Sequence, residues 1–343
     1  MDLDLRLVRY FVAVADELHF GRAAAKLYVS QPALSKQIRR LEEQVGVQLL
    51  VRDTRHVTLT ARGQQFLTEA RRLLAIAQTM QQPARANTVR MAHVFELDTS
   101  RVIADSYAAR FPGVALSEHA MDSAAQLEAL LQHRLDVAIL RISPRMVVDH
   151  PSGWEHRLLR LEPLVLVGRP TGGAPADDGP AVSRARGPAR PAAATSLHDG
   201  PLDVFGDPPE SGSYNAHGDY LSAAERGLGI ELRWLGTPGA FSHCLARVIR
   251  SDGRALFLEF FSYARRYAAH GFSLSWPLEA QPYYPWSLAW RSEPSTPALS
   301  EFLEVARAES TGRGWLEPAT AAAGPPWMPP DDPVRRDVPF VSG

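Results

Sequence analysis

Apolar residues recur at helical spacing through the first part of the chain and predict three short helices. The first helix covers residues 4–17, where five apolar residues share one face: Leu5, Val8, Phe11, Val12 and Ala15. A second helix is predicted at Gly21–Leu27, and a third begins after Ser30 and ends at Gly46. The turn between them is short, because Ser30 can cap the third helix and Pro32 fits its first turn. Two helices joined in this way predict a helix-turn-helix.

The third helix has one apolar face and one polar face. On the apolar face lie Leu34, Ile38, Leu41 and Val45. On the polar face lie Ser35, Lys36, Arg39 and Arg40, with Gln31 and Pro32 at the start of the helix. Gln and Ser reach base edges, and Lys and Arg reach guanine or phosphate, so the polar face predicts contact with a DNA major groove. The alternative is a small helical bundle with a polar surface.

A hairpin and a long helix are predicted next. The β-prone segments Gln48–Val51 and His56–Leu59 predict a wing, on which Arg52 and Arg55 are placed for phosphates or a narrow minor groove. The helix covers Ala61–Gln82, and its apolar residues, spaced 4, 3, 4 and 3, predict a coiled-coil seam. The seam consists of Phe66, Ala70, Leu73, Ala77 and Met80.

Beyond residue 89 the pattern changes to alternating strands and helices, which is typical of βαβ units with a parallel sheet. Strands are predicted at Val89–Phe95, Val114–His119, Val137–Leu140 and Leu161–Gly168, and helices at Thr99–Arg110, Ser123–His133 and Pro297–Ala308. Residues 170–192 are rich in Pro, Gly and Ala and predict a long mobile loop. Residues 311–343 are Pro- and Ala-rich, charged and without periodicity, and predict a disordered tail.

Charge and composition narrow the classes of protein. The net charge is −1, but residues 20–62 hold eight basic side chains against three acidic ones, a local excess that a polyanion would feel. With one cysteine, Cys244, no internal disulfide is expected, and no metal site or cofactor is predicted. The chain has no apolar run of about 18 residues or more and no signal-peptide pattern at its start, so a cytoplasmic protein without a membrane partner is expected.

Residues 3–80 closely resemble the N-terminal region of LysR-type transcriptional regulators. The resemblance rests on "LVRYFVAVA", "HFGRAAAKLYVSQPALSKQIRRLEEQVGVQLLVR" and "VTLTARG", with small departures at Leu50-Val51 and Arg62. It implies a winged helix-turn-helix over residues 1–60 and a linker and dimerisation helix over 61–88. It also implies double-stranded promoter DNA as a partner, a homodimer or homotetramer, and RNA polymerase as a further candidate partner.

Residues 89–310 resemble the rest of the family more loosely, and the resemblance implies an α/β regulatory domain like periplasmic binding proteins. Its two subdomains would cover about 89–160 with 286–310, and about 161–285, with an effector cleft between them. Helix N-termini in such clefts favour anions. Thr99 and Ser100 match the family's effector-contacting position, Ser123 begins a helix, and Arg141 follows a strand and could bind a carboxylate. As an alternative, the hydroxyl residues simply cap helices, and Asp98 would oppose an anion.

The predicted function is therefore a sequence-specific DNA-binding regulator whose promoter binding responds to a small effector. A regulator with a degenerate cleft, acting without ligand, is the second hypothesis, because aromatic residues crowd the region before the returning strand. They either pack the core or line the pocket. An enzyme is not predicted: the catalytic motifs searched for are absent, and Cys244 and His243, adjacent on a helix, would point to different sides. The effector and the direction of regulation stay open.

Overall fold

The computed structural model describes most of the chain, in two compact units. The described residues are 4–27, 29–52, 57–80, 88–94, 97–169, 193–208, 215–237, 240–250, 256–292, 296–319, 324–338 and 340–341. One unit comprises Met1–Asn87 with Ala129–Leu135, and the other comprises Thr88–Glu128 with Asp136–Gly343. The predicted loop at residues 170–192 lies outside the described residues.

The first unit begins with three helices, as predicted: α1 (Leu5–Glu17), α2 (Phe20–Lys26) and α3 (Gln31–Val45). The Ser30 hydroxyl caps α3 by accepting from the Ala33 N–H at 3.4 Å, and Gly46 ends it at φ +75°, a conformation that favours glycine. The His19 ring caps α2 by accepting from the Gly21 N–H at 3.0 Å. The ends of these helices are therefore set by local side chains, which is why the sequence predicts them well.

A hairpin and the long helix α4 (Ala61–Met80) complete this unit. Strands β1 (Leu50–Arg52) and β2 (Val57–Leu59) pair in antiparallel register, Leu50 opposite Leu59. The predicted seam of α4 is partly used inside the unit: Phe66 meets the ring of Phe11 edge-on at 5.2 Å, and Ala70 is buried in the same core. The side chain of Met80 lies outside the described residues.

Replacing Gly63 with alanine is expected to lower the free energy of unfolding of this unit by about 1–3 kcal/mol. A Cβ atom at this first-turn position of α4 would lie 2.0 Å from the carbonyl oxygen of Leu49, so backbone would have to move. Amide hydrogen exchange of the hairpin in the full chain measures the effect. Gly113→Ala, where a Cβ meets nothing within 4 Å, is the control; equal protection in both variants would contradict the prediction.

The second unit is built on one sheet with helices on its faces, and its first part is a parallel α/β arrangement. Strands β3 (Thr88–His93), β4 (Ala115–Ala120) and β5 (Val137–Leu140) are parallel, with β3 in the middle. They alternate with α5 (Asp98–Arg110), α6 (Ser123–Leu131) and α7 (Pro144–Asp149), and α11 (Pro297–Gly312) packs on the same core. The sequence missed α7, which has only six residues.

Two long antiparallel strands, β6 (Trp154–Gly168) and β12 (Gln281–Arg291), continue the sheet into the second part. Their register shifts between Trp286 and Ser287. The second part contains β7 (Ala193–Thr195), β8 (Leu202–Val204), α8 (Ala216–Leu228), β9 (Leu232–Trp234), α9 (Phe241–Arg250), β10 (Leu256–Phe260), α10 (Phe261–Ala268) and β11 (Ser273–Pro277). Strand order across the sheet is β4-β3-β5-β12-β6-β10-β8-β9, with β11 also paired to β6.

The prediction of a disordered tail at residues 311–343 is wrong for the described part of that segment. Strand β13 (Pro326–Trp327) pairs with β12, and a short 3-10 turn forms at Arg335–Asp337. Four apolar side chains of the segment are buried: Met328, Val334, Val338 and Val341. They are spaced irregularly and are held by contacts distant in sequence, so no periodic signal announces them.

Candidate DNA-binding surface and effector cavity

The first candidate site is the polar face of α3. Leu34, Ile38 and Leu41 are each 0% exposed and pack in the core of the first unit. This anchorage leaves the other side of the helix at the surface: Gln31, Pro32, Lys36 and Arg39 are exposed, and Ser35 is half-buried. The structure therefore places these five residues together on one side, as the helical pattern predicts.

Positive charge on this face is available for a polyanion. Lys36, Arg39 and Arg40 form no ion pair with any residue that the structure describes. In contrast, Arg22 and Lys26, which belong to the same basic stretch of sequence, bind the carboxylate of Glu17 at 3.3 and 3.2 Å. Lys26 and Arg22 hold the pKa of Glu17 below its usual value through these hydrogen bonds. The basic surface is thus narrower than the eight basic residues in this stretch of sequence suggest.

The start of the hairpin is tied to α3 by hydrogen bonds to an acidic side chain of that helix, Glu42. The carboxylate of Glu42 accepts hydrogen bonds from the backbone N–H groups of Leu49 and Leu50 at 2.9 and 3.1 Å. Arg52 lies at the end of β1, but its side chain is outside the described residues, and Arg55 is outside them entirely. Glu42 fixes where the hairpin begins relative to α3, a role that periodicity does not reveal.

The second candidate site is a cavity of about 260 Å³ in the second unit. The first turns of α5, α6 and α8 contribute Asp98, Ser123 and His217 to its lining. The rest of the lining comes mainly from the second part of the sheet and its helices, including Phe205, Asp207, Cys244, Glu259, Phe260, Tyr263, Tyr284 and Trp286. A concave site with an apolar wall and a few polar groups is typical of a small-molecule site.

Of the four predicted effector residues, only Ser123 lines this cavity. Thr99 is buried and accepts a hydrogen bond from the guanidinium of Arg160 at 2.8 Å. Ser100 is buried and donates to the carbonyl of Leu97 at 2.7 Å. Both hydroxyls therefore serve internal contacts in the structure, because the helix turns them away from the cavity while Asp98 takes the position that faces it.

Arg141 has its carboxylate partner within the chain. Arg141 is 1% exposed. Its guanidinium binds the carboxylate of Asp332 at 2.8 Å and donates to the carbonyl of Ala216 at 3.1 Å. It also lies 5.3 Å from the ring of Tyr220. The expectation that Arg141 offers a free charge to a ligand is wrong, because Asp332, from the segment predicted to be disordered, pairs with its guanidinium.

Two titratable groups of the lining are strongly affected by burial. Burial raises the pKa of Glu259 to about 7, and the nearby carboxylate of Glu162 adds to the rise. Burial lowers the pKa of His217 to about 4, although a hydrogen bond to the Phe205 backbone opposes this. At neutral pH the imidazole is therefore uncharged, while Glu259 is close to the midpoint of its titration.

Within the described residues there is no group of three potential metal ligands, and no helix is long and apolar enough to cross a membrane. A winged helix-turn-helix followed by an α/β unit with a ligand-sized cavity defines the class of protein. The model of the bacterial regulatory helix-turn-helix protein, LysR family, matches residues 5–64, and that of the LysR substrate binding domain matches residues 85–311. The chain belongs to the LysR family, and the predicted fold class is confirmed.

Individual relatives agree with this assignment. The chain is 39% identical over 176 residues to the uncharacterized HTH-type transcriptional regulator YnfL of Escherichia coli K12, covering 48% of this chain and 57% of that protein. It is 40% identical over 168 residues to the HTH-type transcriptional regulator AlsR of Bacillus subtilis 168, covering 47% and 52%. The chain thus spans about half the length of these curated relatives.

A solved structure resembles the fold of this chain over most of its length. The crystal structure of full-length CbnR complexed with its target DNA matches with a TM-score of 0.57 at 24% identity, covering 90% of this chain and 100% of that chain. The family model of the α/β unit ends at residue 311, so Asp332 and the segment around it lie beyond the matched part.

Proposed function

We propose that this chain is a sequence-specific DNA-binding transcriptional regulator whose promoter binding is modulated by a small molecule in the cavity of the α/β unit. The observation that carries the proposal is the polar face of α3. Three fully buried residues anchor the helix, and Gln31, Lys36 and Arg39 stand exposed on its other side. Such a helix can enter a major groove without losing its packing. Family membership supports the same function.

The remaining parts of the proposal follow from this role. The proposed DNA-contacting set is Gln31, Pro32, Ser35, Lys36 and Arg39, together with Arg52 and Arg55. The predicted seam of α4, from Phe66 to Met80, would contribute to a homodimer, or to a homotetramer with further contacts. Because promoter DNA and RNA polymerase are its expected partners, we infer a cytoplasmic protein. We infer that the α/β unit binds its ligand without transforming it, as a regulator does.

A regulator that acts without ligand is the competing proposal. The cavity of about 260 Å³ favours an effector, because aromatic side chains line it rather than fill it. Of the crowded aromatic residues, Phe260, Tyr263, Tyr284 and Trp286 form part of the lining, and Tyr284 and Trp286 are also packed in a core cluster. Phe257, Tyr267 and Trp276 pack in the core without lining the cavity.

The test is binding of the full chain to the DNA upstream of its own gene. By fluorescence anisotropy at moderate salt, we expect this duplex to bind more tightly than a random duplex, with affinity that falls steeply as salt rises. Arg39→Ala should weaken specific binding by about 1–3 kcal/mol, or about 5- to 150-fold, because it removes one base or phosphate contact.

The control is Arg145→Ala, which removes the same charge from an exposed helix of the other unit. It should leave the affinity unchanged. Equal affinity for upstream and random duplexes, or equal losses in both variants, would exclude the proposed function.

A further inference from the structure

The cavity of the α/β unit is lined by negative charge. Four acidic residues belong to its lining: Asp98, Asp122, Asp207 and Glu259. None of them forms an ion pair with a residue that the structure describes, and no lysine or arginine belongs to the described lining. A carboxylate ligand would therefore face uncompensated repulsion in a setting where burial strengthens electrostatic interactions.

The two arginines buried nearby do not make the cavity positively charged. Arg141 is bound to Asp332 at 2.8 Å, as described above. Arg160 is bound to Glu162 at 2.5 Å and donates to Thr99 at 2.8 Å. Each guanidinium is thus paired with a carboxylate of the chain itself. Neither arginine belongs to the described lining, although the guanidinium of Arg141 donates to the carbonyl of Ala216 at 3.1 Å and lies 5.7 Å from the ring centroid of Tyr284.

The helix N-termini at the cavity, which would otherwise attract anions, carry polar side chains of the chain itself. The Asp122 carboxylate accepts from the Ala125 N–H at 2.8 Å at the start of α6. The Asn215 side-chain oxygen accepts from the Gly218 N–H at 2.5 Å at the start of α8. Helix α5 has no side-chain cap, but Asp98 places a negative charge in its first turn. At two of the three helix N-termini, a side chain of the chain itself therefore accepts a backbone hydrogen bond. At the third, the positive end of the helix dipole is balanced by a carboxylate.

Several buried hydrogen-bonding groups in the lining are not fully satisfied by the described residues, and they point to a ligand. The Nδ1 atom of His217 is buried and has no hydrogen-bond partner among the described residues. Since the ring donates to the Phe205 backbone, this nitrogen is an acceptor. Among the described residues, the carboxylate of Glu259 accepts only from the N–H of its neighbour Phe260, at 2.8 Å. Trp286 is 3% exposed, and its buried indole N–H has no acceptor in the part of the chain that the structure describes. Unsatisfied buried groups are costly, so a ligand that satisfied them would gain affinity.

Aromatic rings form the apolar wall of the cavity. The ring centroids of Phe260 and Tyr284 lie 5.0 Å apart, and those of Tyr284 and Trp286 lie 4.8 Å apart. The faces of such rings carry negative potential and attract cations, most strongly where water is excluded. The aromatic wall and the acidic residues thus both favour a positively charged ligand.

We propose that the effector cavity binds a protonated amine carrying an aromatic or apolar body, with the ammonium group at Glu259 and Asp207 and the body against Phe260, Tyr284 and Trp286. The inference rests on the proposed function, because it names the chemical class of the effector. The proposed ligand is a cation, whereas the helix N-termini and Arg141 predict an anion from the sequence.

Binding of such a cation is coupled to the ionisation of Glu259. Its pKa of about 7 means that the carboxyl is largely protonated below neutral pH and ionised above it. A cation binds the ionised form more tightly than the protonated form, so affinity should rise as pH increases through about 7. The other charged or titratable groups around the cavity and on the elements packed against Glu259 include Asp98, Asp122, Arg141, Arg160, Glu162, Asp203, Asp207, His217, Cys244, Tyr263, Arg266, Tyr267 and Tyr284. His217, with its pKa of about 4, stays neutral across this range.

The test compares three probes of one shape and different charge: tyramine, tyrosol and 3-(4-hydroxyphenyl)propanoate. All carry the same phenol, and the amine of tyramine stays protonated because alkyl ammonium groups titrate near about pH 10. By isothermal titration of the full chain near pH 8, we expect tyramine to bind about tenfold more tightly than either other probe. This preference should shrink near pH 6, where Glu259 holds its proton.

Glu259→Gln should reduce the affinity for tyramine about tenfold near pH 8, leave tyrosol unchanged and remove the pH dependence. The variant keeps the shape of the neutral carboxyl, so folding is preserved. Glu231→Gln, an exposed acid of the same unit outside the lining, is the control and should change nothing.

Tightest binding by the propanoate, no binding by tyramine, or an unchanged tyramine affinity in Glu259→Gln would each overturn the inference. Binding to the upstream DNA is measured on the same protein samples. If DNA specificity is intact while the charge preference fails, only this inference is lost; if DNA specificity fails, the proposed function is lost with it.

Discussion

Asp332→Ala is expected to lower the free energy of unfolding of the α/β unit by about 3–5 kcal/mol. The substitution leaves the guanidinium of Arg141 buried without its counter-charge, 2.8 Å from where the carboxylate was. Burial raises the pKa of Asp332 even though Arg141 opposes the rise, so desolvation weighs more than attraction in this pair. Removing one partner therefore costs far more than the intact pair contributes.

Tryptophan fluorescence during urea unfolding measures this effect cleanly. All seven tryptophans lie between residues 154 and 327, so the signal reports the α/β unit alone. The double variant Arg141→Met with Asp332→Leu should recover most of the loss, because well-packed apolar side chains replace a buried ion pair at little cost. An unchanged unfolding midpoint in Asp332→Ala, or a double variant as unstable as the single one, would show that the pair is not buried as described.

Ile38→Ala is expected to lower the free energy of unfolding of the first unit by about 2–5 kcal/mol. Ile38 is 0% exposed at the centre of the apolar face of α3, between Leu34 and Leu41. The cavity left by its side chain would loosen the helix that presents Gln31 and Arg39. DNA affinity should therefore fall together with stability, although Ile38 itself cannot contact DNA.

Amide hydrogen exchange of α1–α3 in the full chain measures the loss, while the tryptophan signal should not move. Arg40→Ala, an exposed position two residues along the same helix, is the control for stability and should stay within about 0.5 kcal/mol of the natural chain. Full protection of the three helices in Ile38→Ala would mean that α3 is held by other contacts than its apolar face.

The two variants separate the roles of the two faces of α3. Arg39→Ala should reduce DNA binding with stability intact, whereas Ile38→Ala should reduce both. The same logic applies to the cavity, where Glu259→Gln should change ligand preference and Asp332→Ala should change stability.

The sequence by itself determined the first unit almost completely. Ser30, Gly46 and the leucine spacing of α3 act within a few residues, so caps and periodicity predict the helix ends to within one residue or so. The alternation of strands and helices after residue 88 also follows from local patterns, and the parallel arrangement of β3, β4 and β5 is confirmed.

Only the tertiary structure decided the charge and the boundary of the effector site. Arg141 and Asp332 are 191 residues apart in sequence, and no local pattern connects them. Whether Arg141 is free or neutralised depends on how residues 324–341 fold back, and that segment is held by single buried side chains rather than by a repeat. The net charge of the cavity lining therefore depends on which charged side chains come together in the folded protein. Their spacing along the sequence does not reveal this.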